Sequence, residues 1–213
     1  MMKHLLTALL TLAFLSLASH AAEFQGRLDM TMTAGKKTMP STYFIKGTNI
    51  RFESKASPET TSVGLLDGAT GTMTILMVEQ KMYMQFSAKK LTELAPDATF
   101  EETGRTEVIA GRKCSEFVVK DKKTTTEIWA TSELGGIANL GEAFGRRGQR
   151  SAWENEMSRR GLFALRVISK NKKGVETSRL ECTAIAEEKL DDALFRIPEG
   201  YSKMPGIGDL FGR

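Results

Sequence analysis

Apolar and polar residues alternate through most of the chain once its leading segment is past. From Phe24 to Thr33, the residues Phe24, Gly26, Leu28, Met30 and Met32 fall on one side of an extended chain, and Gln25, Arg27, Asp29 and Thr31 on the other. This is the period-two pattern of a half-buried strand. A turn at Ala34-Gly35-Lys36-Lys37 follows. Then Tyr43-Phe44-Ile45-Lys46 and Ile50-Arg51-Phe52-Glu53 flank Gly47-Thr48-Asn49, which predicts a tight hairpin. A further strand, 62–66, runs into the turn Asp67-Gly68-Ala69-Thr70-Gly71. Segments 72–79 and 82–87 form the next hairpin. With Gln80-Lys81 as its turn, Met77 faces Met84 and Ile75 faces Phe86, with Met73 on the same side.

Beyond a short helix predicted over 89–95, strands are expected at 106–110, 114–120, 125–130, 162–170 and 175–186. The stretch between Leu134 and Arg160 breaks the alternation. It begins Gly-rich and ends with helical spacing, Trp153 and Met157 four apart, Ser151 placed as N-cap and Glu154 three residues on. Consecutive antiparallel strands around one helical stretch predict a mainly β fold: a curved antiparallel sheet, an open or half β-barrel, with a helical insertion packed over one side.

The first residues belong to a different pattern. Lys3 and His4 precede an apolar run from Leu5 to Ala18 and then Ser19-His20-Ala21-Ala22, the anatomy of a secretory signal peptide. We place the cut near Ala21, which makes residues 1–21 the signal, 22–204 one β-rich domain and 205–213 a flexible C-terminal tail, with the periplasm as destination. Both histidines of the chain lie in the signal. The mature chain then lacks imidazole, which removes Ser-His chemistry and His-held zinc. With no nucleophile elbow, phosphate loop or dinucleotide fingerprint present, a catalytic role, a cofactor and a metal centre are not expected. The net charge of +4 is too small for a nucleic-acid footprint, and no mature segment is apolar for long enough to span a bilayer. In an oxidising compartment Cys114 and Cys182 are expected to form a disulfide, worth about 4 kcal/mol in a chain-entropy account.

Two stretches carry a likeness. Glu107-Val108-Ile109-Ala110-Gly111-Arg112-Lys113-Cys114, followed by Glu127-Ile128-Trp129-Ala130, resembles an exported bacterial family known as domain of unknown function 4412. The ending LFRIPEGYSKM is similar to the close of the wider periplasmic lipoprotein-carrier-like group. That resemblance implies an unclosed barrel whose apolar concave side holds acyl chains under a helical lid.

The methionines are where function would sit. Met30, Met32, Met73, Met77, Met82 and Met84 fall in three predicted strands. They read as core filler, as the lining of an apolar site, or, least well, as soft ligands for copper. The reading carried forward is non-catalytic binding of a hydrophobic or amphiphilic, lipid-like ligand. Its wall would be Leu28, Met30, Met73, Ile75, Met77, Met84 and Phe86, and its lid Trp153 and Met157. The alternative is an envelope protein–protein interaction module using edge strands and the arginines Arg146, Arg147, Arg150, Arg159 and Arg160.

Overall fold

The computed structural model describes residues 24–55, 61–87, 99–134 and 152–204. Twelve strands form one sheet: β1 (Gln25–Ala34), β2 (Lys37–Lys46), β3 (Asn49–Lys55), β4 (Thr61–Asp67), β5 (Thr72–Met77), β6 (Met82–Ser87), β7 (Thr99–Ile109), β8 (Arg112–Lys120), β9 (Thr124–Thr131), β10 (Phe163–Asn171), β11 (Glu176–Glu187) and β12 (Ser202–Lys203). Their spatial order is β12-β6-β5-β4-β3-β2-β1-β11-β10-β9-β8-β7. Every pair is antiparallel except β12 on β6. Among the described residues the two end strands do not pair, so the curved sheet is unclosed. Residues from β1 to β5 share one core cluster with Ile109, Cys114, Trp129, Phe163 and Cys182 from the other half.

Local chemistry sets the hairpins. Gly35 and Gly47 open two-residue loops at positive φ, the conformation that matches strand twist and that glycine adopts without strain. The loop at Ala110-Gly111 has both residues at positive φ, 48° and 79°. The conspicuous I-x-G-x-x-C run is therefore a tight turn feeding Cys114 into β8.

Several expectations change in detail. The β5–β6 turn takes four residues, not two, so Ile75 pairs with Met84, Met77 with Met82 and Met73 with Phe86. The slip is by two positions, which keeps every side chain on its expected face. β2 starts at Lys37 despite Pro40, because β2 pairs with β3 only from Ser41 onward and Pro40 lies where its missing donor is not needed. β7 is longer than the pattern suggests. It begins at Thr99 and carries a bulge in which Thr103, Gly104 and Arg105 oppose the single residue Glu116.

Of the helical insertion, the described residues hold one short helix, α1 (Ala152–Arg159). Met157 from it is fully buried among Phe117, Val119, Ile128, Ala130, Ala164 and Val167. The helix predicted at 89–95, the arginines at 146, 147 and 150, the signal segment and the tail lie outside the described residues. No described helix is long and apolar enough to cross a membrane.

The expected disulfide is a correction. Cys114 and Cys182 are both buried and both free. They sit on β8 and β11, with β9 and β10 between them, and both belong to the same buried cluster. Each thiol instead donates to a nearby carbonyl, Cys114 to Arg112 at 3.6 Å and Cys182 to Ala184 at 3.4 Å.

The C-terminal segment crosses the outer face. Val63, Leu65 and Leu76 point away from the interior and are covered by Tyr83, Ile197 and Tyr201. Lys46 holds the carbonyl of Leu190 at 3.1 Å and the carboxylate of Asp192 at 2.6 Å, while Arg51 donates to the carbonyl of Leu194 at 3.1 Å. A 3-10 turn, Asp192–Phe195, and then β12 complete the crossing.

Candidate functional site

The register turns the sequence pattern into rows that run across the strands on the inner face. One row is Leu28, Tyr43, Phe52, Gly64, Ile75 and Met84; the next is Met30, Ser41, Ser54, Ser62, Met77 and Met82. In the second row three adjacent strands present serine between flanking methionines. Three small side chains in line leave a trough where larger ones would fill the face. From Met30 to Met77 it spans roughly 19 Å at about 4.8 Å per strand.

That trough is a groove of about 280 Å³ lined by Met32, Met39, Ser41, Tyr43, Phe52, Ser54, Ser62, Val63, Ile75 and Leu180. Its floor is tightly built. The Tyr43 and Phe52 rings are 6.3 Å apart, and Phe52 occupies the space that glycine leaves at position 64. A Cβ on Gly64 would lie 1.9 Å from the Phe52 ring. Burial holds the Tyr43 hydroxyl well above the ordinary phenol range, against a smaller opposing effect of its hydrogen bond with Ser41. It is therefore a neutral group at any physiological pH. None of the lining residues is charged.

The expected wall divides into three groups. Leu28, Met30 and Met73 are core, at 0%, 3% and 1% exposure. Ile75 lines the groove, and Met77 stands half-buried at the end of the serine row. Met84 and Phe86 lie on the same face but are exposed, at 40% and 44%. Trp153 is half-buried and Met157 buried against β8, β9 and β10, beside the groove and not in its lining. The two regions meet at Leu180, which packs on the helix cluster and also lines the groove.

Sequence reasoning missed Met39, Tyr43, Phe52, Leu180 and the three serines as site residues. Their alternation was visible in Ser41-x-Tyr43, Phe52-x-Ser54 and Ser62-x-Gly64. That the serines are neighbours depends on pairing register, which alternation does not specify.

The described residues thus form an open, twelve-stranded half-barrel with an uncharged groove on its inner face. The chain belongs to the family described as Domain of unknown function (DUF4412), whose model matches residues 24–201. Among curated proteins none matches the sequence. Solved structures similar in fold include an uncharacterized conserved protein from Thermus thermophilus, 9% identical, TM-score 0.54, covering 86% of this chain and 91% of that one. PNGF-II is 15% identical with a TM-score of 0.52, over 88% of this chain but 32% of its own. The Pseudomonas aeruginosa MucA/MucB complex contains a chain 11% identical, TM-score 0.51, matched over 82% of this chain and 56% of that one. At these identities the likeness is one of fold.

Proposed function

We propose that this protein is an exported, non-catalytic binder of a hydrophobic or amphiphilic ligand, held in the inner groove of the half-barrel. The observation that carries this reading is the serine trough itself: an uncharged groove open on the inner face, with aromatic and methionine walls. A face meant only for core would be filled. At about 280 Å³ the groove is at the small end of ligand sites, which run roughly 300–1,000 Å³. It accommodates one apolar chain or part of one. Burial of each methylene contributes about 0.8 kcal/mol, so a short length of chain suffices for useful affinity. Export to the periplasm and an envelope role belong to the same proposal and rest on the signal-like first residues.

Native mass spectrometry of mature protein released gently from its own cells tests this. A bound mass in the lipid range is the expected result. An empty protein, together with undisturbed binding of apolar probes after Leu180→Glu and Met39→Glu, would sink the groove as the site.

A second reading has its own support. The P. aeruginosa MucA/MucB complex contains a chain of similar fold, and Met84 and Phe86 are exposed here. An interaction module without a small ligand predicts a defined partner in cross-linking of intact cells and no adduct by mass spectrometry.

A further inference from the structure

The groove's chemistry narrows the ligand beyond "apolar", and this step rests on the reading above. Inner-face positions from Gly26 to Met32 on β1, Met39 to Ile45 on β2, and throughout β3, β4, β5 and β6 carry no charged side chain in the rows that the register defines. What they carry that is polar is hydroxyl: Ser41, Ser54, Ser62 and the neutral Tyr43. A carboxylate or phosphate placed there would lose water and gain no cation, a cost that an uncharged hydroxyl or ester avoids by hydrogen bonding.

The apolar part of a ligand has a separate path. At its β5 end the serine row runs into Met77 and Met82, and Ile75, a lining residue, pairs directly with Met84. Met84 and Phe86 are therefore a continuation of the groove wall, which accounts for two large apolar side chains left exposed on an inner face. Methionine is suited to such a wall because its unbranched thioether adapts to a mobile chain.

We infer that the groove selects a neutral single-chain amphiphile of the monoacylglycerol type. Its hydroxyl- or ester-bearing head lies on the serine row and its acyl chain on the methionine wall of β5 and β6. Anionic lipids with the same chain are discriminated against.

The test is calorimetric titration with mono-oleoylglycerol, oleate and oleoyl lysophosphatidylglycerol, each below its aggregation threshold. Mono-oleoylglycerol is expected to bind tighter than either anion by about tenfold or more. Ser54→Ala should weaken it, and Ser54→Lys should reverse the order in favour of oleate, with thermal melts confirming that both variants fold. Met84→Glu should weaken all three. Equal affinity for the three probes, or a preference for oleate in the wild type, overturns the neutral-head inference and leaves the groove as a general apolar site. Unchanged affinity in Met84→Glu overturns the path of the chain. Failure of all three probes to bind, with no lipid mass on the native protein, overturns this inference and the binding function together.

Discussion

Gly64 and Phe52 show how one missing side chain shapes the site. Phe52 is buried and lies across Gly64, so even a methyl group there meets the ring at an impossible distance. Gly64→Ala should destabilise the protein by about 1–3 kcal/mol through overpacking and push the ring up into the groove. Urea denaturation together with lipid titration checks both effects, and Phe52→Leu in the same chain should restore part of the stability. The thiols make a second prediction. Burial pushes Cys114 up to about 11 and Cys182 up to about 12. An unfolded chain releases those protons first, near 9. The stability these thiols contribute is thus complete below about pH 9 and is lost as pH rises through about 11 to 12. A Cys114→Ala, Cys182→Ala variant should show a shallower alkaline decline in its urea midpoint than the parent. Equal slopes would mean that other groups govern the decline.

Among the strands, β7 carries the clearest departure from regular pairing. Its bulge sets Thr103, Gly104 and Arg105 against Glu116, whose side chain is completely buried. The bulge supplies the partners that this carboxylate needs. Thr103 Oγ1 donates at 2.5 Å, Arg105 Nε at 2.6 Å, and a second nitrogen of Arg105 reaches the other oxygen. The Arg105 guanidinium also lies 5.6 Å from the Trp129 ring centre. A buried charge stripped of its partner is far worse than no charge at all. Arg105→Ala should therefore lower the melting temperature more than Glu116→Gln does, and the double variant should recover toward the Gln single. If Glu116→Gln proved the more damaging, the bulge would not be serving the carboxylate. The same strand presents Glu101, Glu102, Arg105 and Glu107 along the edge of the sheet, charges that discourage edge-to-edge pairing with another copy.

For the molecule as a whole, the sheet is greasy on both sides in different places, and each side is handled differently. The outer face of β4 and β5 is closed by the C-terminal crossing. Ile197→Ala or Tyr201→Ala should each cost about 2 kcal/mol, and removing residues 191–213 should expose Val63, Leu65 and Leu76 and raise binding of an apolar dye. The inner face is closed by core in one part and left open in another. Met73→Glu should abolish cooperative unfolding, because Met73 is buried at 1% exposure, whereas Met84→Glu should leave the melt within a few degrees of the parent. Loss of folding in Met84→Glu would mean that the methionine face is core throughout.

The strand pattern, its mainly β class and the face on which Met30, Met32, Met73, Met77, Met82 and Met84 lie were all legible from residues 24–33, 43–53 and 72–87. Alternation is a local property, and a strand keeps it whatever its partners. Even the wrong β5–β6 turn left the faces correct, since the error was an even number of residues. Helix α1 was visible in the spacing of Trp153 and Met157, but its contact surface on β8, β9 and β10 was not. What only the tertiary structure decided depends on pairing between strands distant in the chain. Register alone places Ser41, Ser54 and Ser62 in one row and so makes the groove. Sheet order and curvature alone put Cys114 and Cys182, with two strands between them, into one buried cluster in which both thiols are free. Sequence carries the facing of each side chain because that is set one residue at a time. Adjacency across a sheet is set by closure of long loops and by packing, which no local pattern encodes.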